Sequence, residues 1–272
     1  MREIAVFTDG DVDVPDQYRN RVEMLPQYYY FEPEMLYGDQ QILEREAFFE
    51  RLKTTRAYTA GSNPDLVRRK FVKVLEEGKD IVCVACSSAM SGTFNTIHAV
   101  GEELKEEYPE AAIEVIDSLN MTLAAGFLCA DAVDAADEGK TAAEVAEIVR
   151  NKIDKIEIYF IVDEFKYLVQ GGRVSPAVGK IGDVLNIKVI LAFQEGKIVA
   201  FKKVRGQKTA LRTIRDIVSE KENARIGAIY VGNQELFEQC KKITDCEDSV
   251  DLNLIIASHV GPNATGIAIE RK

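Results

Sequence analysis

Residues 80–100 read "DIVCVACSSAMSGTFNTIHAV". Asp80–Cys86 is a short run rich in valine and isoleucine, which predicts a strand. Beyond Gly92, the residues Ile97, Val100, Leu104 and Tyr108 recur at three- and four-residue spacing, which predicts a helix. Between the two, the chain passes through Ser87, Ser88, Ser91, Gly92 and Thr93. A helix N-terminus carries unpaired N–H groups and partial positive charge. When it follows a sheet strand it lies at the carboxyl edge, where α/β proteins bind ligands. Ser91, Gly92 and Thr93 suit an acidic ligand there, because glycine admits an anion to the backbone and the hydroxyls add donors. Serine and threonine also cap helices whatever the function, so this turn alone leaves capping and anion binding both open.

The same alternation extends outward. "IAVFT" (4–8) and "AIEVIDS" (112–118) read as strands. "ILEREAFFERLKT" (42–54), "TLAAGFLCADAVDAADEG" (122–139) and "TAAEVAEIVRNKI" (141–153) read as helices, the last opened by a Thr141–Glu144 capping box. Strands and helices in turn predict βαβ units and a parallel sheet. The pattern changes near residue 155. "IEIYFIVD" (156–163) reads as a strand, and "VILAFQEGKIVAFKKV" (189–204) as a hairpin turning at Glu195-Gly196. "TALRTIRDIVSEKE" (209–222) is a helix and "RIGAIYVG" (225–232) a strand. After one more helix, "LNLIIASHVG" (252–261) reads as the last strand. The expectation is an α/β protein of two domains, 1–155 with a mainly parallel sheet and 156–272 with a mixed one.

A net charge of −11 argues against a nucleic-acid partner, which needs a basic footprint. No segment approaches the roughly 20 apolar residues that cross a bilayer. The apolar run in "MREIAVFTDG" is too short for a secretory signal. These features lead us to expect a cytoplasmic protein with no stable membrane insertion. Cys83 and Cys86 form a CxxC, but residues three apart on a strand point to opposite faces. Cys129, Cys240 and Cys246 complete no zinc spacing, so all five cysteines read as small buried hydrophobes and no metal site is expected.

Enzyme chemistry has one opening. "VFTDGDVD" (6–13) places Asp9-x-Asp11 after a strand, reminiscent of the nucleophile and acid of haloacid-dehalogenase-like phosphatases, although Asp13 stands where those enzymes use Thr or Val. As a calcium loop the stretch fails, with Val14 at the sixth position and Asn20 at the twelfth. A serine hydrolase would need His98 or His259 as its base, and no G-x-S-x-G elbow surrounds Ser91.

"SSAMSGTFN" (87–95) is followed by "LVQGGRVSPAVGKIGDVLNIKVIL" (168–191), "GKIVAFKKVRGQKTAL" (196–211) and "SHVGPNATGIAI" (258–269). In order and spacing these resemble the DegV family of bacterial fatty-acid-binding proteins, and "FTDGDVDVP" (7–15) extends the resemblance over nearly the whole chain. The resemblance implies a two-domain DegV-like fold with one long-chain fatty acid between the domains and no further cofactor. FakB-type members are the acyl-carrying subunit of a bacterial fatty acid kinase. A separate ATP-dependent subunit phosphorylates the carboxylate, giving acyl phosphate for phospholipid synthesis, so the chain implied here has no turnover of its own. Carried over by position, the family's carboxylate-binding serine falls on Ser91, its threonine on Thr59 and its histidine on His259, with Gly92 and Thr93 completing the turn.

The chemistry fits that assignment. A carboxylate leaving water needs donors, and hydroxyls with helix N–H groups supply them without a full countercharge. Each buried methylene contributes roughly 0.8 kcal/mol, so the tail supplies affinity and the head orientation. Ile181, Leu185 and Ile187 read either as tail lining or as core. Lys202, Lys203, Arg205 and Lys208 form a basic cluster. The resemblance suggests that this side faces the kinase subunit; a solvated hairpin end accounts for it equally. Arg173, in the turn "GGRVS", is the second residue expected to face that partner. Two segments depart from the family pattern: Gly10 and Asp11 replace hydroxyl residues in "TDGDVDVP", and Ala60-Gly61 replace Ser-Gln in "YTAGSNP".

Overall fold

The computed structural model describes residues 2–32, 43–182, 186–220, 222–246 and 248–272. In chain order its first half contains β1 (Ile4–Asp9), β2 (Val22–Leu25), β3 (Tyr28–Phe31), α1 (Arg45–Leu52), β4 (Ala57–Ala60) and α2 (Pro64–Glu76). There follow β5 (Asp80–Ala85), α3 (Thr93–Glu107), β6 (Ile113–Asp117), α4 (Thr122–Asp137) and α5 (Ala142–Lys152). The second half contains β7 (Ile156–Val162), α6 (Lys166–Gln170), α7 (Pro176–Gly182), β8 (Ile187–Gln194), β9 (Lys197–Arg205) and α8 (Gln207–Ser219). It ends with β10 (Asn223–Val231), α9 (Gln234–Thr244), β11 (Asp248–Asp251), α10 (Leu254–Val260) and β12 (Ala264–Arg271).

Two compact units result, one from residues 1–27 with 60–154 and one from 28–59 with 155–272. In the first, β2-β1-β5-β6 form a sheet whose neighbours all run parallel. One face packs Phe7, Ile81, Cys83 and Ala85 against Val67 and Phe71 of α2 and Ile97, Val100 and Leu104 of α3. Phe7 meets Phe71 edge-on at 4.9 Å, an arrangement that adds to area burial. Helices α4 and α5 lie against β1 and β5. Helix α4 is buried along most of its length, which its alanines permit by keeping it thin. Thr141 and Glu144 make the expected reciprocal cap of α5.

In the second unit the sheet order is β11-β10-β12-β7-β8-β9, antiparallel except for the β10–β11 pair. The β8–β9 hairpin turns at Glu195 (φ 49°) and Gly196 (φ 76°), the left-handed pair that matches strand twist. Helices α8 and α9 cover Ile161, Ile190, Ile267 and Ile269. Strands β3 and β4 pair as a small sheet, and Arg45 of α1 donates to the Leu252 carbonyl and pairs with Asp251. These contacts place 28–59 with the later residues, whereas the sequence division kept them in 1–155. The excursion carries no linker composition, so nothing in the sequence marks it.

One element differs in kind from the sequence reading. Residues 252–261 are not the last strand; they contain helix α10. The Asn253 side chain accepts the Ile255 and Ile256 N–H groups, and Gly261 (φ 82°) ends the helix. A short apolar run has no decisive period, so the cap decides. The last strand is β12, buried at every residue between β10 and β7. No helix among the described residues is long and apolar enough to cross a membrane.

Gly126 of α4 shows how closely the helix meets the segment after β1: an added Cβ would stand 2.1 Å from the Asp13 carbonyl oxygen. Gly126→Ala should therefore destabilise the protein by about 1–3 kcal/mol, measured by urea unfolding. An unchanged midpoint would mean that this contact yields freely.

Candidate functional site

Strands β1 and β5 end side by side, and the segments that leave them are tied by one carboxylate. Asp9 is fully buried. Its Oδ1 accepts the Asp11 N–H and Gln27 Nε2–H, both at 2.9 Å, and its Oδ2 accepts the Cys86 N–H at 2.7 Å. Burial and the neighbouring Asp11 carboxylate push the Asp9 pKa up to about 7, although the Cys86 and Asp11 N–H groups pull it down. Cys86 Sγ donates to Asp11 Oδ2 at 3.5 Å. Burial raises the Cys83 and Cys86 thiols well above their usual value and Cys129 to about 12, so all three stay protonated. This geometry does not support the phosphatase reading of Asp9 and Asp11. A nucleophilic carboxylate needs an open oxygen, and Asp9 has both occupied by N–H donors.

The serine-rich turn is built on this base. Ser87 O accepts the Met90 and Ser91 N–H groups at 3.1 and 3.0 Å, and Asp117 Oδ1 accepts the Ser88 N–H at 3.1 Å. Ser91 Oγ bonds Thr93 Oγ1 at 3.0 Å and accepts the Thr93 N–H at 3.4 Å. Thr93 is buried, Ser91 half-buried and Gly92 exposed. Thus Thr93 steadies Ser91 from behind. Gly92 sits at φ −72°, ψ −4°, a conformation open to any residue, and a Cβ there would meet nothing within 4 Å among the described residues. Neither backbone nor packing demands glycine at this point; what it preserves is access to the first turn of α3. Gly61 has a different reason. A Cβ there would lie 2.8 Å from Thr93 Oγ1, so a side chain does not fit.

In the second unit, Thr59 Oγ1 and His259 Nε2 are 3.1 Å apart. His259 Nδ1 is buried with no hydrogen-bond partner among the described residues. Orphaned donors are rarer than under-used acceptors, so we assign the Nε2–H tautomer, which donates to Thr59 and leaves the Thr59 proton for another acceptor. The "GG" of "GGRVS" now has a meaning: a Cβ at Gly171 would stand 2.5 Å from His259 Nδ1, and Gly172 turns at φ +74°. Arg56 donates to the Gln170 carbonyl and Arg173 to that of Gly171. Burial, then the charges of Arg173 and Arg56, lower the His259 pKa to about 3, so the imidazole is neutral near pH 7.

The predicted residues therefore fall into groups. Ser91, Gly92 and Thr93 come together in the first unit, Thr59 and His259 in the second with Arg173 nearby. Arg205 stands apart, exposed at the end of β9 with Lys202 and Lys203. The side chain of Ile181 and all of Leu185 lie outside the described residues, and Ile187 is half-buried at the start of β8. His98 is an exposed residue of α3. Sequence reasoning missed Gln27, Arg56 and the Asp11–Cys86 contact; the pairing of Asp11 with a thiol 75 residues away has no local signal.

The state of His259 can be tested through pH. A histidine depressed from 6.5 to about 3 contributes stability that is complete above 6.5 and is lost as pH falls toward 3, because the unfolded chain takes up the proton first. The thermal midpoint should drop between pH 6.5 and 4 more steeply in the wild type than in His259→Gln. Parallel curves would show that His259 ionises freely.

Comparisons with known proteins place the chain in a family and a fold. The DegV family model, described as "Uncharacterised protein, DegV family", matches residues 3–272. A DegV domain-containing protein of Clostridium perfringens is 32% identical over 85% of each chain. A fatty acid-binding protein of Thermotoga maritima is 27% identical over 98% of each. The crystal structure of a fatty acid binding DegV family protein from Streptococcus agalactiae superposes with a TM-score of 0.88 at 26% identity, covering all of both chains. With its parallel and mixed sheets, its glycine and hydroxyl turns and a match along essentially its full length, the chain belongs to the DegV family.

Proposed function

We propose that this chain binds a long-chain fatty acid and presents its carboxylate to an ATP-dependent kinase subunit, with no turnover of its own. The observation that carries the reading is the open backbone at Gly92, set between the paired Ser91 and Thr93 hydroxyls at the start of α3. In this reading the turn donates to the head group, Thr59 adds its hydroxyl proton, and His259 acts on the head group through Thr59, to which its N–H is committed. A neutral His259 suits the role: it offers a dipole, not a countercharge, and leaves the carboxylate oxygen nucleophilic. That oxygen attacks the γ-phosphorus of ATP, the bond to the β-phosphate oxygen breaks, and ADP departs with that electron pair. Arg173, half-buried, and Arg205, exposed, are proposed to face the kinase subunit, where cations assist docking. Fatty-acid binding by the Streptococcus agalactiae and Thermotoga maritima relatives supports the ligand class.

Denaturing extraction of freshly purified protein followed by mass spectrometry should recover a fatty acid. Its absence, with no uptake of added fatty acid, would remove the reading. Ser91→Ala should lower phosphoryl transfer to the ligand at least tenfold while retention changes less, because buried methylenes dominate affinity. Arg205→Glu should impair coupling to the kinase subunit with lipid content unchanged; loss of lipid instead would contradict the assignment of that surface.

A further inference from the structure

Around the Thr59–His259 pair the second unit closes a ring of contacts. Arg56, exposed just before β4, lays its guanidinium over the Tyr58 ring, 4.5 Å from the centroid, and donates to the Gln170 carbonyl at 2.5 Å. Gln170 is the last residue of α6, where carbonyls lack helical partners and a cation is favoured. Gly171 follows it, and a Cβ there would lie 2.5 Å from His259 Nδ1. The other ring nitrogen, Nε2, stands 3.1 Å from Thr59 Oγ1, and Thr59 adjoins Tyr58 on β4. We propose that Arg56 is a positioning residue for the head-group site: by holding the end of α6 against the imidazole it fixes the His259 tautomer and so keeps the Thr59 proton for the ligand. The proposal rests on the fatty-acid reading above.

A neutral imidazole has one N–H, and its place decides what Thr59 can do. With the proton on Nε2, His259 donates to Thr59 Oγ1, and the Thr59 hydroxyl is left to donate to a carboxylate. With the proton on Nδ1, Nε2 becomes an acceptor and takes that hydroxyl proton itself. Gly171 selects between the two. Packed against Nδ1, it leaves that atom buried with no partner among the described residues, and a buried N–H without an acceptor costs more than an unused lone pair. Were the turn to draw back, water would reach Nδ1 and both tautomers would populate. Earlier in α6 the packing is already close, since a Cβ at Gly261, two residues beyond His259, would meet Tyr167 Cδ2 at 2.3 Å. At the glycine turn, Arg173 donates to the Gly171 carbonyl from within the turn, whereas Arg56 reaches it from the segment that carries Thr59. Arg56 thereby couples the two members of the pair.

The test begins with 15N NMR of the imidazoles in delipidated protein at pH 8. The chain has two histidines, and His98, exposed on α3, supplies the reference for a ring free to exchange tautomers. The wild type and Arg56→Lys, which keeps a cationic donor, should show at His259 the two unequal ring shifts of a fixed Nε2–H tautomer. Arg56→Ala should show the averaged shifts of exchange. Palmitate and hexadecanol, which share a tail and differ in the head, are then titrated against the same three proteins. Arg56→Ala should lower the preference for palmitate over hexadecanol about fivefold, the size of one hydrogen bond, and Arg56→Lys should restore most of it. A tautomer that stays fixed in Arg56→Ala overturns the proposal, whatever happens to the preference. Equal weakening of both ligands also overturns it, because a merely structural residue would act in that way. If the wild type binds no palmitate, the fatty-acid reading falls and the head-group role of Arg56 falls with it; palmitate binding that is indifferent to Arg56 sinks the positioning alone.

Discussion

The site rests on one buried carboxylate. Asp9 gathers N–H donors from its own turn, from Gln27 after β2 and from Cys86 after β5. Three chain segments that would otherwise leave the sheet independently are thereby held in fixed relation. Each donor left without an acceptor in so buried a place would cost roughly 1–3 kcal/mol, and no water reaches the group to substitute. The arrangement also has an electrostatic consequence. Burial and the neighbouring Asp11 carboxylate push the Asp9 pKa up to about 7, against the pull of the N–H groups that it accepts.

Above this base, each glycine has its own reason. Gly61 is small because Thr93 presses against it, and Gly171 because His259 does. Gly172 adopts a left-handed turn that disfavours side chains. Among the described residues Gly92 meets none of these conditions, which is why the proposed ligand site is centred on it. The hydroxyls divide similarly. Thr93 is buried and supports Ser91, while Ser91 remains partly accessible, and Thr59 receives the His259 N–H with its own proton to spare.

Much of this was legible in the chain before any coordinates. The period of Ile97, Val100 and Leu104, the Thr141 capping box and the Glu195-Gly196 turn are local signals, and each element forms as its residues dictate. The failures have a common physical origin. Residues 252–261 are apolar without a period, so the Asn253 cap outweighs their β-rich composition. The excursion of 28–59 to the second unit is decided by distant partners such as Arg45 with Leu252 and Asp251. Asp9 and Asp11 looked like catalytic acids because spacing along a strand says nothing of which donors fold over them. Family resemblance pointed to Ser91, Thr59 and His259, whereas the lowered His259 pKa and the pairing of Thr93 with Ser91 come from the geometry alone.

The central claim is that the first turn of α3 holds the head of an acyl ligand. Carboxyl-13C-labelled palmitate added to delipidated 15N-labelled protein tests it most directly. Binding at this turn predicts one bound carboxylate resonance and its largest amide shifts at Ser91, Gly92 and Thr93. A bound fatty acid that leaves these three amides unmoved, with its perturbations elsewhere in the chain, would contradict it.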